Sequence, residues 1–335
     1  MQGHSRFQVL IVTVLLVVST QTVAQSALSS TEVPVSLVLT LRGNHGADLS
    51  EINSGNLILS RGGERAKIAK VLPLQGGGAS LELFVMIDDA REISYGMQVE
   101  DIRHFILAQP PTMKIGVVYM NIEGPKIAQD LTTDHALAAQ AVRTPLARLA
   151  NGESPYTSLS ELIDRWPPSD GHREILMISN GEDATFSGLE TDAVNPYADA
   201  AISKAQRSGI VVFTIASSNE AVRPIENGPA GILPAENSLT NAAQRSAGLG
   251  RFHLEQIAEA TGGEFYYYRS AARLSFAPYL ADVTDRLESQ YVVSFLAKPG
   301  KTPILQSVKV RSKLAHIKVA SAERVYIPAA TPESP

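Results

Sequence analysis

Residues 81–92 read LELFVMIDDARE, an unbroken apolar run that ends abruptly in the two carboxylates Asp88 and Asp89. A run without polar alternation predicts a strand buried on both faces, as at the centre of a parallel sheet covered by helices on both sides. In such sheets ligands bind outside the carboxyl ends of the strands, which makes Asp88 a candidate site residue. The alternative is that the two aspartates only begin a turn and cap the following helix.

From residue 81 onward, apolar runs rich in β-branched residues alternate with amphipathic stretches. This alternation predicts an α/β fold with a central, mostly parallel sheet flanked by helices. The further strands are predicted over residues 113–120, 172–179, 210–216, 264–269 and 291–297. The helices are predicted over residues 95–108, 133–150, 157–165, 196–208, 252–261 and 275–290. Residues 217–250 have no firm period, which predicts either a long loop that belongs to a partner surface or a disordered insert.

Shorter strand patterns lie on both sides of this region. Residues 33–41, VPVSLVLTL, alternate as a half-buried strand does, and further strands are predicted over 56–60 and 67–74. The last strands are predicted over 305–311, 315–319 and 324–327. The chain therefore divides into an N-terminal β unit over 33–78, a central domain over 80–297, C-terminal strands over 302–328 and a loose tail over 329–335, with a hinge at the glycine run 76–78.

The composition is that of an ordinary soluble globular protein, with 44% hydrophobic and 19% charged residues. The formal net charge is -5, and acidic and basic residues are mixed along the sequence. Read along the chain, this mixture indicates neither a nucleic-acid partner nor an anionic-membrane surface.

Residues 1–24 have the pattern of a secretory signal peptide, with Arg6 before an apolar core over 9–18 and small residues at Thr22 and Ala24. The apolar core is short for a membrane span, which predicts cleavage after Ala24 and no stable span in the mature chain. Cysteine is absent, which is more typical of a bacterial protein than of a eukaryotic secreted domain of this size. We therefore predict a secreted or periplasmic protein of the bacterial cell envelope.

Three segments together resemble the von Willebrand factor type A domain. They are LELFVMID at 81–88, YTSL at 156–159 and ILMISNGED at 175–183, and their order and spacing are similar to the three metal-site loops of that family. The segment LEQIAEATGG at 254–263, before an aromatic strand, is similar to a late helix of these domains. The strand patterns at both ends resemble the secreted "VWFA-related" family known chiefly from acidobacteria, so the resemblance covers nearly all of the mature chain.

The resemblance implies a Rossmann-like type A domain, with a small β-sandwich-like unit formed by the N-terminal and C-terminal strands. In the family, a D-x-S-x-S loop, a Thr and an Asp hold a divalent cation that binds a carboxylate of the partner protein. Asp88 matches the first Asp, whereas Ala90 and Glu92 stand at the two serine positions. Thr157 is the best match to the Thr, with Ser154 as the alternative.

The third-loop Asp of the family corresponds to Asn180 in this sequence. Because Mg²⁺ prefers carboxylate and other oxygen ligands, these changes predict a degenerate metal site and no cofactor. The alternatives are a rebuilt site for Mg²⁺ or another divalent cation, held by Asp88, Glu92, Thr157 and Asp183, or a different polar role. The predicted ligand-binding residues are Asp88, Asp89, Glu92, Thr157, Asn180 and Asp183.

The leading functional hypothesis is an exported, non-enzymatic module that binds another protein through the loops at the carboxyl ends of the strands. The sequence has no G-x-S-x-G turn, no cysteine nucleophile and no H-E-x-x-H motif, so no catalytic residue is predicted. One alternative is a hydrolase built on the carboxylates Asp88, Asp89 and Asp183. Another is a structural scaffold. No nucleic-acid partner is predicted.

Overall fold

The computed structural model of the chain describes residues 32–43, 52–74, 80–89, 96–121, 123–146, 154–183, 194–218, 235–269 and 275–330. The predicted signal peptide, the glycine run at 76–78, Ala90 and Glu92 lie outside these ranges. Within them, no helix combines the length and the apolar character that crossing a bilayer requires.

The described residues form fourteen strands and six helices. The strands are β1 (Val33–Gly43), β2 (Leu57–Arg61), β3 (Glu64–Ala66), β4 (Ile68–Pro73), β5 (Leu81–Asp88), β6 (Lys114–Asn121), β7 (Gly124–Thr132), β8 (His172–Ser179), β9 (Val211–Ser218), β10 (Phe265–Arg269), β11 (Gln290–Ala297), β12 (Ile304–Ser312), β13 (Ile317–Ser321) and β14 (Arg324–Ile327). The helices are α1 (Gly96–Ala108), α2 (His135–Gln140), α3 (Pro155–Arg165), α4 (Pro196–Ser208), α5 (Ala235–Thr261) and α6 (Ala277–Glu288).

The central sheet has the strand order β10-β9-β8-β5-β6-β7, and only β7 at its edge runs antiparallel. Every residue of β5 is buried, which confirms the prediction of a central strand. Helices α1, α2 and α6 pack on one face, where Phe105 and Val283 join the core. Helices α3, α4 and α5 cover the other face, with Leu159 and Leu254 among the buried side chains. The predicted α/β class with a mostly parallel sheet is therefore confirmed.

The first and last strands form two four-stranded antiparallel sheets, in the orders β13-β1-β11-β4 and β14-β12-β2-β3. Alternate residues of both sheets, among them Leu39, Leu59, Phe295 and Val310, pack into one hydrophobic core. We call this unit the sandwich. It matches the small β-sandwich-like unit expected from the N-terminal and C-terminal strands.

The placement of residues 291–297 in the central sheet was wrong. Strand β11 pairs antiparallel with β1, from Val33 opposite Ala297 to Thr40 opposite Gln290, and with β4 on its other side. Its alternate residues, such as Phe295, complete the core of the sandwich. An apolar run of this length fits either sheet, so the strand with which it pairs decides which sheet it joins.

Two helix predictions also differ from the structure. In the described part of the helix predicted over 133–150, residues 135–140 form α2, which Asp134 caps, and residues 141–146 are not helical. Strand β7, just before it, was missed. In contrast, residues 235–250 belong to α5 and are not loop. Two glycines in α5, Gly248 and Gly250, obscured its helical pattern, since glycine is a poor helix former on its own.

Candidate functional site

The carboxyl ends of β5 and β8 lie side by side, and a hydrogen bond joins them. The Ser179 hydroxyl donates to Oδ2 of Asp88 over 2.8 Å, and both side chains are buried. The parallel pairing of β5 with β8 brings the two loops together, as expected from the sequence.

The start of α3 closes the site through Ser154. Ser154 is the N-cap of α3, where its Oγ accepts a 3.4 Å bond from the backbone N–H of Thr157, and it donates a 2.8 Å bond to Oδ2 of Asp183. The same Asp183 oxygen accepts a 3.0 Å bond from Nδ2 of Asn195, the N-cap of α4. Ser154, and not Thr157, therefore contacts Asp183 of the third loop, and Thr157 stands half-buried in the first helical turn.

The loop after β8 is held by hydrogen bonds between its backbone groups and nearby side chains. Oδ1 of Asn180 accepts a 2.9 Å bond from the N–H of Glu182, while Nδ2 of Asn180 is buried without a hydrogen-bond partner among the described residues. Gly181 has a positive φ of 71°, which favours glycine. Its carbonyl accepts a 2.5 Å bond from the Tyr156 hydroxyl, and burial, together with the charge of Asp183, raises the pKa of this phenol well above its ordinary value.

Helix α5 crosses this loop at a point where only glycine fits. A Cβ added to Gly250 would lie 2.5 Å from the carbonyl oxygen of Asn180 and 2.7 Å from the carbonyl carbon of Gly181. Both are backbone atoms, so the loop and the helix are in direct backbone contact. This contact fixes the position of the loop relative to α5.

Asp89, one residue after Asp88, is held in an ion pair. The Arg143 guanidinium donates bonds of 2.7 and 2.8 Å to its two carboxylate oxygens, and the N–H of Leu146 donates another of 2.7 Å. Arg143 also lies 3.8 Å from the centre of the Tyr119 ring. The ion pair raises the pKa of Arg143 and ties residues 143–146 to the end of β5, which explains why the helix predicted over 133–150 stops early.

At one described position, the side chain differs in chemistry from the carboxylate of the family's cation site. At the third-loop position the Asn180 amide oxygen is already bonded to Glu182, and the remaining group is an N–H donor, which repels a cation. No three Asp, Glu or His side chains come together as ligands within the described ranges. Ala90 and Glu92 lie outside these ranges, so the role predicted for Glu92 stays a prediction.

The structure therefore brings four of the six predicted residues, Asp88, Thr157, Asn180 and Asp183, to one edge of the sheet, together with the alternative Ser154 and with Ser179. We call these six residues the rim. Asp89 lies beside it, in contact with Arg143. Their predicted role in ligand binding stays a prediction. The sequence reasoning missed Asn195 and Gly250. An Asn directly before Pro196 is a recognised helix-start signal and could have identified Asn195, whereas nothing local marks Gly250.

Exposed apolar side chains border the rim. Leu249 and Phe252 flank Gly250, Val194 and Tyr197 flank Asn195, and Leu146 follows the Arg143 ion pair; their exposed fractions range from 39% for Leu249 and Phe252 to 60% for Val194. We call these five residues the apolar border. Single exposed apolar residues are common, but a set gathered around one polar edge is typical of an interaction surface.

The chain matches no protein-family model and no curated protein. Among solved structures, an aerotolerance-related membrane protein from Bacteroides fragilis is similar, with 16% identity, a TM-score of 0.40, and coverage of 62% of this chain and 98% of that one. Proximal thread matrix protein 1 from the mussel byssus has 14% identity and a TM-score of 0.41, over 62% of this chain and 47% of that one. The SpRpn10 VWA domain has 11% identity and a TM-score of 0.36, over 61% and 94%. These scores are too low to assign a family.

Proposed function

We propose that the chain is a non-enzymatic, von Willebrand type A-like module of the bacterial envelope that binds another protein through the rim and its apolar border. The observation that carries the proposal is the arrangement of exposed Leu, Val, Phe and Tyr side chains around a polar edge whose side chains bond mainly to one another. Protein interfaces gain most of their affinity from a few residues, and aromatic side chains such as Phe and Tyr are enriched in them.

The contacts of the carboxylates support binding over catalysis. Oδ2 of Asp88 accepts from Ser179, Oδ2 of Asp183 accepts from Ser154 and Asn195, and both oxygens of Asp89 bind Arg143. A general base must be free to take a proton from its substrate. These bonds instead hold the loops in one arrangement, which favours a preformed binding surface.

The apolar border can be tested with Leu249→Ser/Phe252→Ser. We expect the double variant to lose at least tenfold in its capture of the partner from a bacterial envelope extract, because truncating central apolar contacts of an interface costs about 2 kcal/mol or more each. Leu107→Ser is the matched control. Leu107 is 52% exposed near the end of α1, away from the rim.

Equal capture by the wild type, the control and the double variant would contradict the use of the border. The thermal midpoints of all three proteins should agree within a few degrees, since surface substitutions usually change stability little. This comparison separates lost binding from lost folding.

Calorimetric titration with MgCl₂ tests the degenerate metal site. We expect no binding heat in the wild type, because an amide N–H group stands where a cation needs an oxygen. Asp88→Ala is the matched variant and should behave identically. Heat in the wild type that disappears in Asp88→Ala would contradict this expectation and assign the ion to the rim.

A further inference from the structure

The fold separates charges that are mixed along the chain. The described residues that form the sandwich, 32–43, 52–74 and 290–330, contain twelve Lys and Arg but only three Asp and Glu. The remainder of the chain contains seventeen Lys and Arg and thirty-one Asp and Glu. A chain with a net charge of -5 therefore contains a unit with a net charge of +9, because its N-terminal and C-terminal strands fold together.

The basic residues of one sheet of the sandwich lie on its outer face. Val308 and Val310 of β12 point into the core, so the alternate residues Lys309 and Arg311 point outward. Across the sheet, Lys309 pairs with Ser60, which pairs in turn with Arg65 of β3.

On the other side of β12, Arg324 of β14 pairs with Ser307 and completes a two-dimensional array. Neighbouring strands lie about 4.8 Å apart and successive residues rise about 3.3 Å, which places each of the other three cations within roughly 10 Å of Lys309. We call the face carrying Arg65, Lys309, Arg311 and Arg324 the basic face. It contains no Asp or Glu at its outward positions.

All four side chains are exposed, and none of them forms an ion pair with a carboxylate among the described residues. In the central domain, by contrast, the exposed Arg165 and the half-buried Lys204 pair with neighbouring acids. Beside the basic face, Arg65 and Lys67 also line an open cleft of about 400 Å³, together with Ser54. Positive charge on this side of the molecule is therefore free to meet an external anion.

We propose that the basic face docks on the phosphate headgroups of an anionic phospholipid membrane. The outer face of a sheet presents its cations in two directions, which matches a plane of phosphates better than the single line of a nucleic-acid strand. Tyr326, which is 37% exposed on the same face, has the amphipathic ring favoured at membrane interfaces.

The test uses sedimentation of the full chain with vesicles of pure phosphatidylglycerol or pure phosphatidylcholine at about 0.1 M NaCl, where charges act over about 10 Å. We expect binding to phosphatidylglycerol only, and loss of binding at high salt. In Lys309→Gln/Arg311→Gln the affinity should fall about 20-fold or more, because each Lys or Arg near an anionic membrane contributes roughly fivefold. The matched control is Lys126→Gln/Arg245→Gln, which removes two exposed cations from the central domain and should change the affinity less than twofold.

Three outcomes would overturn the proposal: no binding of the wild type to phosphatidylglycerol, equal binding to phosphatidylcholine, or equal losses in the control and the test variant. Binding to a DNA or RNA oligonucleotide in preference to the vesicles would assign the face to nucleic acid instead. All substituted residues are exposed, so equal thermal midpoints will show that the variants are folded. The rim takes no part in this test, and its failure would leave the proposed protein binding unaffected.

Discussion

Replacing Glu174 with glutamine is expected to stabilise the protein above about pH 8 and to leave it almost unchanged below about pH 4.5. Glu174 lies on β8 with no exposed surface, and neither carboxyl oxygen has a hydrogen bond of good geometry among the described residues. Burial raises the pKa of Glu174 to about 8, an effect that the nearby Gln290 amide reduces but does not cancel. Desolvation disfavours the charged carboxylate.

The direction of this pH dependence follows from the number of protons that the folded and the unfolded chain bind. Below about pH 4.5 the carboxyl is protonated in both the folded and the unfolded chain, and Glu174 causes no pH dependence. Between about pH 4.5 and 8 the unfolded chain releases the proton while the folded chain keeps it, so stability falls as the pH rises. The accumulated loss is on the order of 5 kcal/mol, since one pKa unit corresponds to about 1.4 kcal/mol. Glutamine removes this loss.

Thermal unfolding of the wild type and Glu174→Gln across this pH range measures the effect. Comparing the two proteins cancels other titrations, including that of His172 on the same strand. Glu82→Gln is the matched control with the opposite sign. Glu82 is also buried, and although burial opposes its ionisation, hydrogen bonds from Trp166, Ser169 and Lys114 lower its pKa below the ordinary value. That substitution should destabilise by about 1 to 3 kcal/mol near neutral pH. Parallel pH profiles for the wild type and Glu174→Gln would contradict a neutral Glu174.

Gly250→Ala is expected to destabilise the rim strongly, whereas Gly248→Ala, in the same helix, should be neutral or stabilising. The new methyl group at position 250 would lie within 3 Å of three backbone atoms, from Asn180, Gly181 and Glu182. Because backbone cannot rotate away as a side chain does, the loop or the helix must shift, at a cost of about 3 kcal/mol. The methyl group at position 248 meets nothing within 4 Å, and alanine favours a helix by up to about 1 kcal/mol over glycine.

The thermal midpoints of the two single variants measure the difference in stability. Each variant adds one methyl group, so the variants differ only in where that group lies. Equal midpoints would show that the contact between α5 and the loop is not tight. If the rim binds a partner as proposed, Gly250→Ala should also reduce capture from the envelope extract, and Gly248→Ala should not. These two variants therefore test whether the packing of the rim contributes to the proposed partner binding.

The sequence predicted those elements whose signals are local. The apolar run that became β5 is long enough to be unambiguous, and Asp134 and Gly209 mark helix ends through side-chain or backbone chemistry within a few residues. For the candidate site, the resemblance of three segments to the type A metal-site loops predicted that Asp88 lies beside the loop after β8, and the bond from Ser179 to Asp88 joins these two loops.

The predictions failed where a distant contact decided the structure. Residues 141–146 have a helical composition but are held by the bond from Arg143 to Asp89, which stands 54 positions earlier. The Ser154 contact with Asp183 spans 29 positions, and nothing in the sequence ranked it above Thr157. The pattern of one sequence shows the spacing of apolar residues and the local signals at helix ends. Contacts between residues far apart in the chain affect neither of these.

The amino-acid order by itself determined the α/β class, the central strand and the gathering of polar groups at the carboxyl ends of the strands, because burial on both faces requires a continuous apolar run. Only the tertiary structure decided that β11 belongs to the sandwich, that Gly250 supports the rim, and that mixed charges separate into a basic unit and an acidic remainder. Each of these depends on which segments meet in space. Pairing between strands more than 200 residues apart is set by the energy of the whole core, which no local window of sequence contains.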